Sequence, residues 1–305
     1  INTPTLYKCV NPEWNLVFAF GKEVVHGINF HIAAGEKLAL VGESGSGKTV
    51  VLNFLAAQAQ KLRGIVNGID SEVWNPATDP FLPFQFDMKT LRNKKKNKAL
   101  LLERFNLESG DGPLFSAVTR VTWQKGMDML AEVADEIFYR GGRLIVLGQG
   151  DHAIEDALKT TAARFPGKMA VSVGYNEPTA HLIHGGSDSI IQPSRFEPCG
   201  LTQLYAMRYG CVPVVSRTGG LSETIIDAND AALSARAATG FQFHPVRPEG
   251  LRQALRRAAD AYEDKRKWAR LQLQAMRADY SWDRSAESYA EVYGRLTEQR
   301  FRATH

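Results

Sequence analysis

Cysteine is scarce in this chain. Cys9, Cys199 and Cys211 are the three in 305 residues, and no two have a paired spacing. An odd, low count excludes a disulfide framework and fits the reducing cytoplasm, which is the expected location. No Cys/His cluster has metal-ligand spacing, so no metal site is expected. No apolar run approaches the roughly 18 residues needed to cross a bilayer. Residues 1–30 contain charges and no continuous apolar stretch, so a signal peptide is not expected either. Charge of one sign is also in short supply: 37 Lys and Arg against 33 Asp and Glu leave a net charge of +4. Much of that excess lies in Lys89, Arg92, Lys94, Lys95, Lys96 and Lys98. No aromatic residue interleaves this run, so it reads as a solvated helix face and no nucleic-acid partner is expected. The chain also lacks an initiator Met, Ile1 standing first. It reads as a fragment, a processed product or an incompletely translated frame.

What is present is ordinary for a globular protein: 44% hydrophobic and 23% charged residues, enough for one large or two medium domains. Residues 16–41 read as strands, and residues 48–60 have helical spacing. From residue 114 the rhythm is regular: strand-like 114–118, 144–147, 169–173, 189–191 and 212–215 alternate with helix-like 127–139, 153–164, 178–184, 201–209 and 221–226. Short apolar strands alternating with helices predict an α/β fold, a parallel sheet covered on both faces. Such sheets bind ligands at the carboxyl ends of their strands. Residues 248–300 read as helical with a break at 279–282, where Ser281 is placed to cap the last helix. Pro76, Pro80 and Pro83 make residues 74–86 a long loop or surface excursion.

Gly42-Glu43-Ser44-Gly45-Ser46-Gly47-Lys48-Thr49 fits a phosphate loop. Gly42, Gly45 and Gly47 let successive N–H groups point into one concavity, Lys48 would reach terminal phosphates, and Thr49 would hold Mg²⁺ with ATP. Together with residues 25–41, this loop resembles the start of an ABC-transporter ATPase domain over about residues 14–51. That family also uses an apolar strand ending in Asp-Glu. Here the apolar strand 144–147 is followed by Gly148-Gln149-Gly150. Without the acidic pair, hydrolysis has no group to activate water. The expectation is therefore a remnant that binds phosphate weakly at best, with no transporter permease as partner.

A second set of motifs follows in order: Gly64-Ile65-Val66-Asn67-Gly68-Ile69-Asp70 with Trp74-Asn75-Pro76 and Asp79, Thr119-Arg120-Val121-Thr122-Trp123-Gln124-Lys125-Gly126, Gly174-Tyr175-Asn176-Glu177, Ser194-Arg195-Phe196-Glu197-Pro198-Cys199-Gly200-Leu201-Thr202-Gln203-Leu204-Tyr205, and Arg217-Thr218-Gly219-Gly220-Leu221. Over about residues 55–300 these resemble the C-terminal, nucleotide-sugar-binding domain of bacterial glycogen (starch) synthases. The resemblance implies one Rossmann-like half of a GT-B glycosyltransferase, ADP-glucose as donor, an α-1,4-glucan as acceptor, transfer with retention and no cofactor. Arg120 and Lys125 would neutralise the diphosphate leaving group. Glu197 would stabilise positive charge at the anomeric carbon. Tyr175, after Gly174, would stack on adenine. Asn67 and the Cys199, Gly200, Leu201 and Thr202 turn would line the sugar-phosphate site. Cys199 reads as a small neutral liner and not a nucleophile. Related glycosyltransferases often carry a second Glu eight positions after the first; here that position is Tyr205.

The resemblance also implies an N-terminal domain with a Lys-Thr-Gly-Gly-Leu loop and an acceptor-side His-Asp pair, and neither occurs here. The sequence thus divides into residues 1–54, resembling the ABC ATPase, and residues 55–305, resembling the glycogen synthase. A rearranged reading frame accounts for the junction better than an evolved bifunctional protein does. Impaired turnover is the expectation, with an ATP-binding module or an inactive fusion as the alternatives.

Overall fold

The computed structural model describes residues 15, 16, 28, 29 and 64–303. The phosphate loop and the 48–60 helix lie outside the described residues. The chain divides into two compact units, one of residues 1–65 with 286–305 and one of residues 66–285. In the first, β1 (Asn15–Leu16) pairs antiparallel with β2 (Ile28–Asn29).

The second unit is built on six parallel strands: β3 (Leu114–Val118), β4 (Arg143–Gly148), β5 (Met169–Val173), β6 (Ser189–Gln192), β7 (Val212–Ser216) and β8 (Phe241–Phe243). Their order across the sheet is β5-β4-β3-β6-β7-β8. β3, β4, β6 and β7 are buried at every position. That is why they read as apolar runs and not as alternating strands. The helices are α1 (Lys94–Arg104), α2 (Met127–Val133), α3 (Asp135–Tyr139), α4 (His152–Arg164), α5 (Glu177–Gly186), α6 (Thr202–Arg208), α7 (Gly219–Thr224), α8 (Asp230–Ser234), α9 (Pro248–Glu263), α10 (Lys265–Arg277) and α11 (Trp282–Ala303). Local chemistry starts several of them. The Asp151 carboxylate accepts the N–H groups of Ala153 and Ile154 to cap α4, and the Asn176 amide oxygen accepts Thr179 N–H at 2.9 Å to cap α5.

The Rossmann-like sheet expected from the βα rhythm is borne out, with three differences in detail. The 127–139 helix is two helices, because Ile137 N–H turns back to Ala134 O, three residues earlier. The tail breaks at Asp264 as well as at 279–282, the Asp264 carboxylate capping α10 through Arg266 and Lys267 N–H. Strand β8 and helix α8, three and five residues long, are too short to leave a periodic signal.

Two expectations are corrected. Residues 74–86 are a loop but not a surface excursion, for Trp74, Asp79, Leu82 and Phe86 are buried. The indole of Trp74 lies between the rings of His181, 3.9 Å away, and Tyr205, 3.8 Å away. The cationic run is not a solvated face throughout. Lys95 and Lys96 are exposed, but Lys94 and Lys98 are buried. Lys98 Nζ donates to Asp188 Oδ2 at 2.6 Å and to Gly112 O at 2.7 Å, and Lys94 Nζ donates to His184 O at 2.7 Å. Their helix lies close on α5 because position 186 is Gly: a Cβ there would stand 2.5 Å from Leu101 Cδ1.

Burial pushes the Lys94 amine down from 10.5 to about 8. The unfolded chain then binds more protons between those values, so this group makes stability rise with pH across that window. Below it, a buried charge leans on one carbonyl and on the face of the Phe86 ring, 5.6 Å away. Lys94→Met keeps the length and removes the charge. It should stabilise the fold at pH 7 by about 1–3 kcal/mol, with the gain shrinking toward pH 10. Thermal melts at the two pH values check this; a Met variant that melts lower at pH 7 would show the hydrogen bond to His184 to be worth more than the burial penalty.

Candidate functional site

The strand order reverses between β3 and β6, and the loops leaving their carboxyl ends carry the charged residues singled out by sequence. After β3 comes the turn 119–126. Lys125 N–H bonds to Thr122 O at 3.1 Å and Gly126 N–H to Trp123 O at 3.0 Å, folding it into a compact hook. After β6 comes the turn 193–201 that leads into α6. Crevices at such reversals are where open parallel sheets take their ligands.

Lys125 and Glu197 meet across this crevice, Lys125 Nζ donating to Glu197 Oε2. Glu197 is 6% exposed, and Ser194 Oγ donates to the same carboxylate oxygen at 3.3 Å. The Arg120 guanidinium, on the same loop as Lys125, is exposed and has no hydrogen-bond or ion partner among the described residues. One cation is thus engaged with the carboxylate and the other is free, both beside the strand reversal.

The turn after Glu197 is held by close backbone approach. Gly200 has φ +76°, a left-handed conformation that favours glycine. Gln203 Nε2 donates to Cys199 O at 3.0 Å and to Gly200 O at 2.9 Å. Gly220 N–H, in the first turn of α7, donates to Glu197 O at 3.1 Å. Leu201 is exposed and Thr202 half-buried at the start of α6, which is two turns long and begins one residue later than its sequence pattern suggests. Asn67 joins this group through its backbone N–H, which faces the Cys199 thiol. Burial pushes that thiol up, and the Glu197 and Glu223 charges add to the effect. A thiol held neutral is a poor nucleophile.

Tyr175 follows β5, where Gly174 at φ +110° turns the chain, and its ring is 64% exposed. Burial of its hydroxyl and the charge of Glu177 raise its phenol pKa. Burial raises that of Tyr205 too, as do Tyr175, Glu177, Asp70 and Cys199 in that order. Tyr205 itself stacks on Trp74, a contact that its sequence spacing alone did not assign. Sequence reasoning also passed over Gln203, Gly220 and Arg195 as parts of the site. Each lies within or beside a quoted motif, but their bonding partners are remote in the chain.

Among the described residues no group of three or more His, Cys, Asp or Glu side chains is placed to hold a metal ion, and no helix is long and apolar enough to cross a membrane.

The family model "Glycosyl transferases group 1" matches residues 99–271, and the model "ABC transporter" matches residues 25–107. The second match runs past the phosphate loop into α1, which the structure packs in the sheet unit. The chain is 53% identical over 257 residues to the glycogen synthase of Rhizobium johnstonii, covering 84% of this chain and 53% of that protein. It is 55% identical over 243 residues to glycogen synthase 1 of Rhizobium meliloti, covering 80% and 51%. Among solved structures it is similar to the catalytic domain of starch synthase IV from Arabidopsis thaliana bound to ADP and acarbose, with TM-score 0.74, 37% identity, and coverage of 85% of this chain and 53% of that one. The sucrose-phosphate synthase of Thermosynechococcus elongatus, at 19% identity and TM-score 0.56, shares the fold. The chain spans about half the length of the curated relatives it matches. With the matched region, residues 99–271, covering more than half of its length, the chain belongs to the glycosyl transferases group 1 family.

Proposed function

We propose that residues 55–305 are the donor-binding half of a glucosyltransferase, taking ADP-glucose for transfer with retention to an α-1,4-glucan, and that residues 1–54 are a separate, ABC-ATPase-like piece. The observation that carries this reading is the placement of Lys125 and Glu197 on the two loops that flank the strand reversal. A diphosphate in that crevice would meet Arg120 and Lys125, whose charges offset the negative charge that grows on the leaving group. Glu197, buried and acceptor-rich, would sit beside the sugar and oppose positive charge at the anomeric carbon. Tyr175 offers an exposed ring for the base, and the Asn67, Gly174 and 199–202 backbone would enclose the sugar phosphate. The similarity to a starch synthase domain bound to ADP supports the choice of nucleotide.

Titration calorimetry with ADP tests it. Arg120→Ala and Lys125→Ala should each weaken binding about ten-fold or more, as removal of a charge-assisted contact does. Unchanged affinity in both would sink the assignment. Labelled glucose passing from ADP-glucose to glycogen, above a Glu197→Ala control, measures turnover in the same chain. The phosphate loop is proposed as a weak ATP site at most; tight ATP binding lost on Lys48→Ala would reverse that.

A further inference from the structure

Besides the Lys125–Glu197 pair, one residue ties the two loops of the crevice at more than one point. Arg195 lies two residues before Glu197, and it bonds to both residues that precede Lys125. Its backbone N–H donates to Gln124 O at 2.9 Å, and its Nη1 donates to Trp123 O at 2.7 Å. The guanidinium is itself fixed by a two-pronged pair with Asp128, Nη1 to Oδ1 at 2.6 Å and Nη2 to Oδ2 at 2.7 Å. It also lies over the Trp123 ring, 4.4 Å from the centroid. A planar fork bonded on both prongs has little freedom, which a lysine could not reproduce. A further tie between the loops is weaker, Gln124 Nε2 to Phe196 O at 3.4 Å. Gly126 makes room for the approach: a Cβ there would stand 2.0 Å from Pro193 O.

We infer that Arg195, held by Asp128, is a positioning residue that sets Lys125 opposite Glu197, and that it thereby sets the affinity of the crevice for a nucleoside diphosphate. The second half rests on the donor-site reading; the first does not. Asp128 is suited to this work. Burial would raise its carboxyl, but the Arg195 hydrogen bonds and charge prevail and hold it below the usual carboxylate value. It remains ionised, and the clamp closed, throughout the neutral range.

The test has two arms on the full chain, with Asp128→Asn and Arg195→Gln as variants. In the first, no ligand is present: a water-soluble amine-reactive reagent is applied and each lysine's labelling is followed by mass spectrometry. Lys125, tied to Glu197, should label slowly in the parent chain and several-fold faster in both variants, with Lys159 on α4 unchanged as the internal control. Lys125 labelling that does not change in either variant overturns the inference, whether or not ADP binds. In the second arm, ADP affinity should fall about ten-fold in Asp128→Asn, the middle of the range for groups in one ion-pair network, and should fall no further when Asp128→Asn is added to Lys125→Ala. A loss that persists undiminished in the Lys125→Ala background means that Arg195 and Asp128 act through something other than Lys125, and overturns it too. If the parent chain takes up no ADP, the donor-site reading fails and the labelling arm still decides the clamp.

Discussion

A chain carrying Gly219→Ala should lose about two orders of magnitude in ADP affinity while keeping its sheet, since misplacing a binding group by about 1 Å can have an effect of that size. Gly219 follows β7 at φ +41°, and an added Cβ would stand 2.1 Å from Glu197 O. That contact is with backbone, so no flexible side chain can swing away. The left-handed conformation adds a further cost of about 1–2 kcal/mol for a residue with a Cβ. The 197–199 turn must retreat, and the Glu197 carboxylate leaves Lys125 as it does so. Gly141→Ala is the matched control. It also carries a positive φ, +71°, but a Cβ there meets nothing within 4 Å, and it precedes β4 at the amino end of the sheet, so it should cost stability without touching the crevice or the turn. Calorimetry with ADP on both variants decides the matter: equal affinities would mean that the Glu197 turn does not belong to the nucleotide site.

The largest expected loss of stability is at Asp79. This buried carboxylate accepts the Tyr209 hydroxyl at 2.5 Å and the Phe81 N–H at 2.8 Å, and His181 Nδ1 lies 2.8 Å from it. Asp79→Ala strands the Tyr209 hydroxyl and the His181 imidazole away from water, and should cost about 3–5 kcal/mol in urea unfolding at pH 7. A loss below about 1 kcal/mol would show that the groups find water or other partners. The 70–87 loop should come away first, and with it the Trp74 ring that backs Tyr205. The pH dependence follows from the same network. Burial works to raise the Asp79 carboxyl, but hydrogen bonds from His181 and Tyr209 prevail and hold it below 3.8. A depressed carboxylate stabilises the fold above its unfolded value, and that contribution is lost only as pH falls through the still lower folded value. His184 acts at higher pH. Burial holds its imidazole down from 6.5 to about 3, so the unfolded chain takes up the extra proton between those values and stability declines as pH falls through that window. Acid unfolding followed by circular dichroism should therefore begin at higher pH in Asp79→Ala than in the parent chain.

The strands were legible because a parallel sheet covered on both faces needs mostly apolar side chains, and runs such as Leu114–Val118, with Ser116 its one polar residue, can do little else. The charged residues of the candidate site were legible through motif spacing, since Arg120, Lys125 and Glu197 each follow such a run by a few residues. The lysine run was misread for the opposite reason. Its composition is that of a solvated helix, and nothing local distinguishes Lys95, which faces water, from Lys98, whose partners Asp188 and Gly112 lie 90 and 14 residues away. Residues 74–86 went the same way: three prolines excluded regular structure correctly but said nothing of burial, which depends on rings and a carboxylate meeting His181, Tyr205 and Tyr209.

Sequence alone thus determined the class of fold, the order of its strands along the chain and the loops that would bear charge, because apolar periodicity, glycine and motif spacing act over a few neighbouring residues. Which strands adjoin, that Lys125 meets Glu197 across 72 residues of chain, and that Arg195 ties their loops together were decided only by the tertiary structure. Ion pairs and hydrogen bonds are short-ranged, and their partners become neighbours only when the sheet brings its strand ends to one edge.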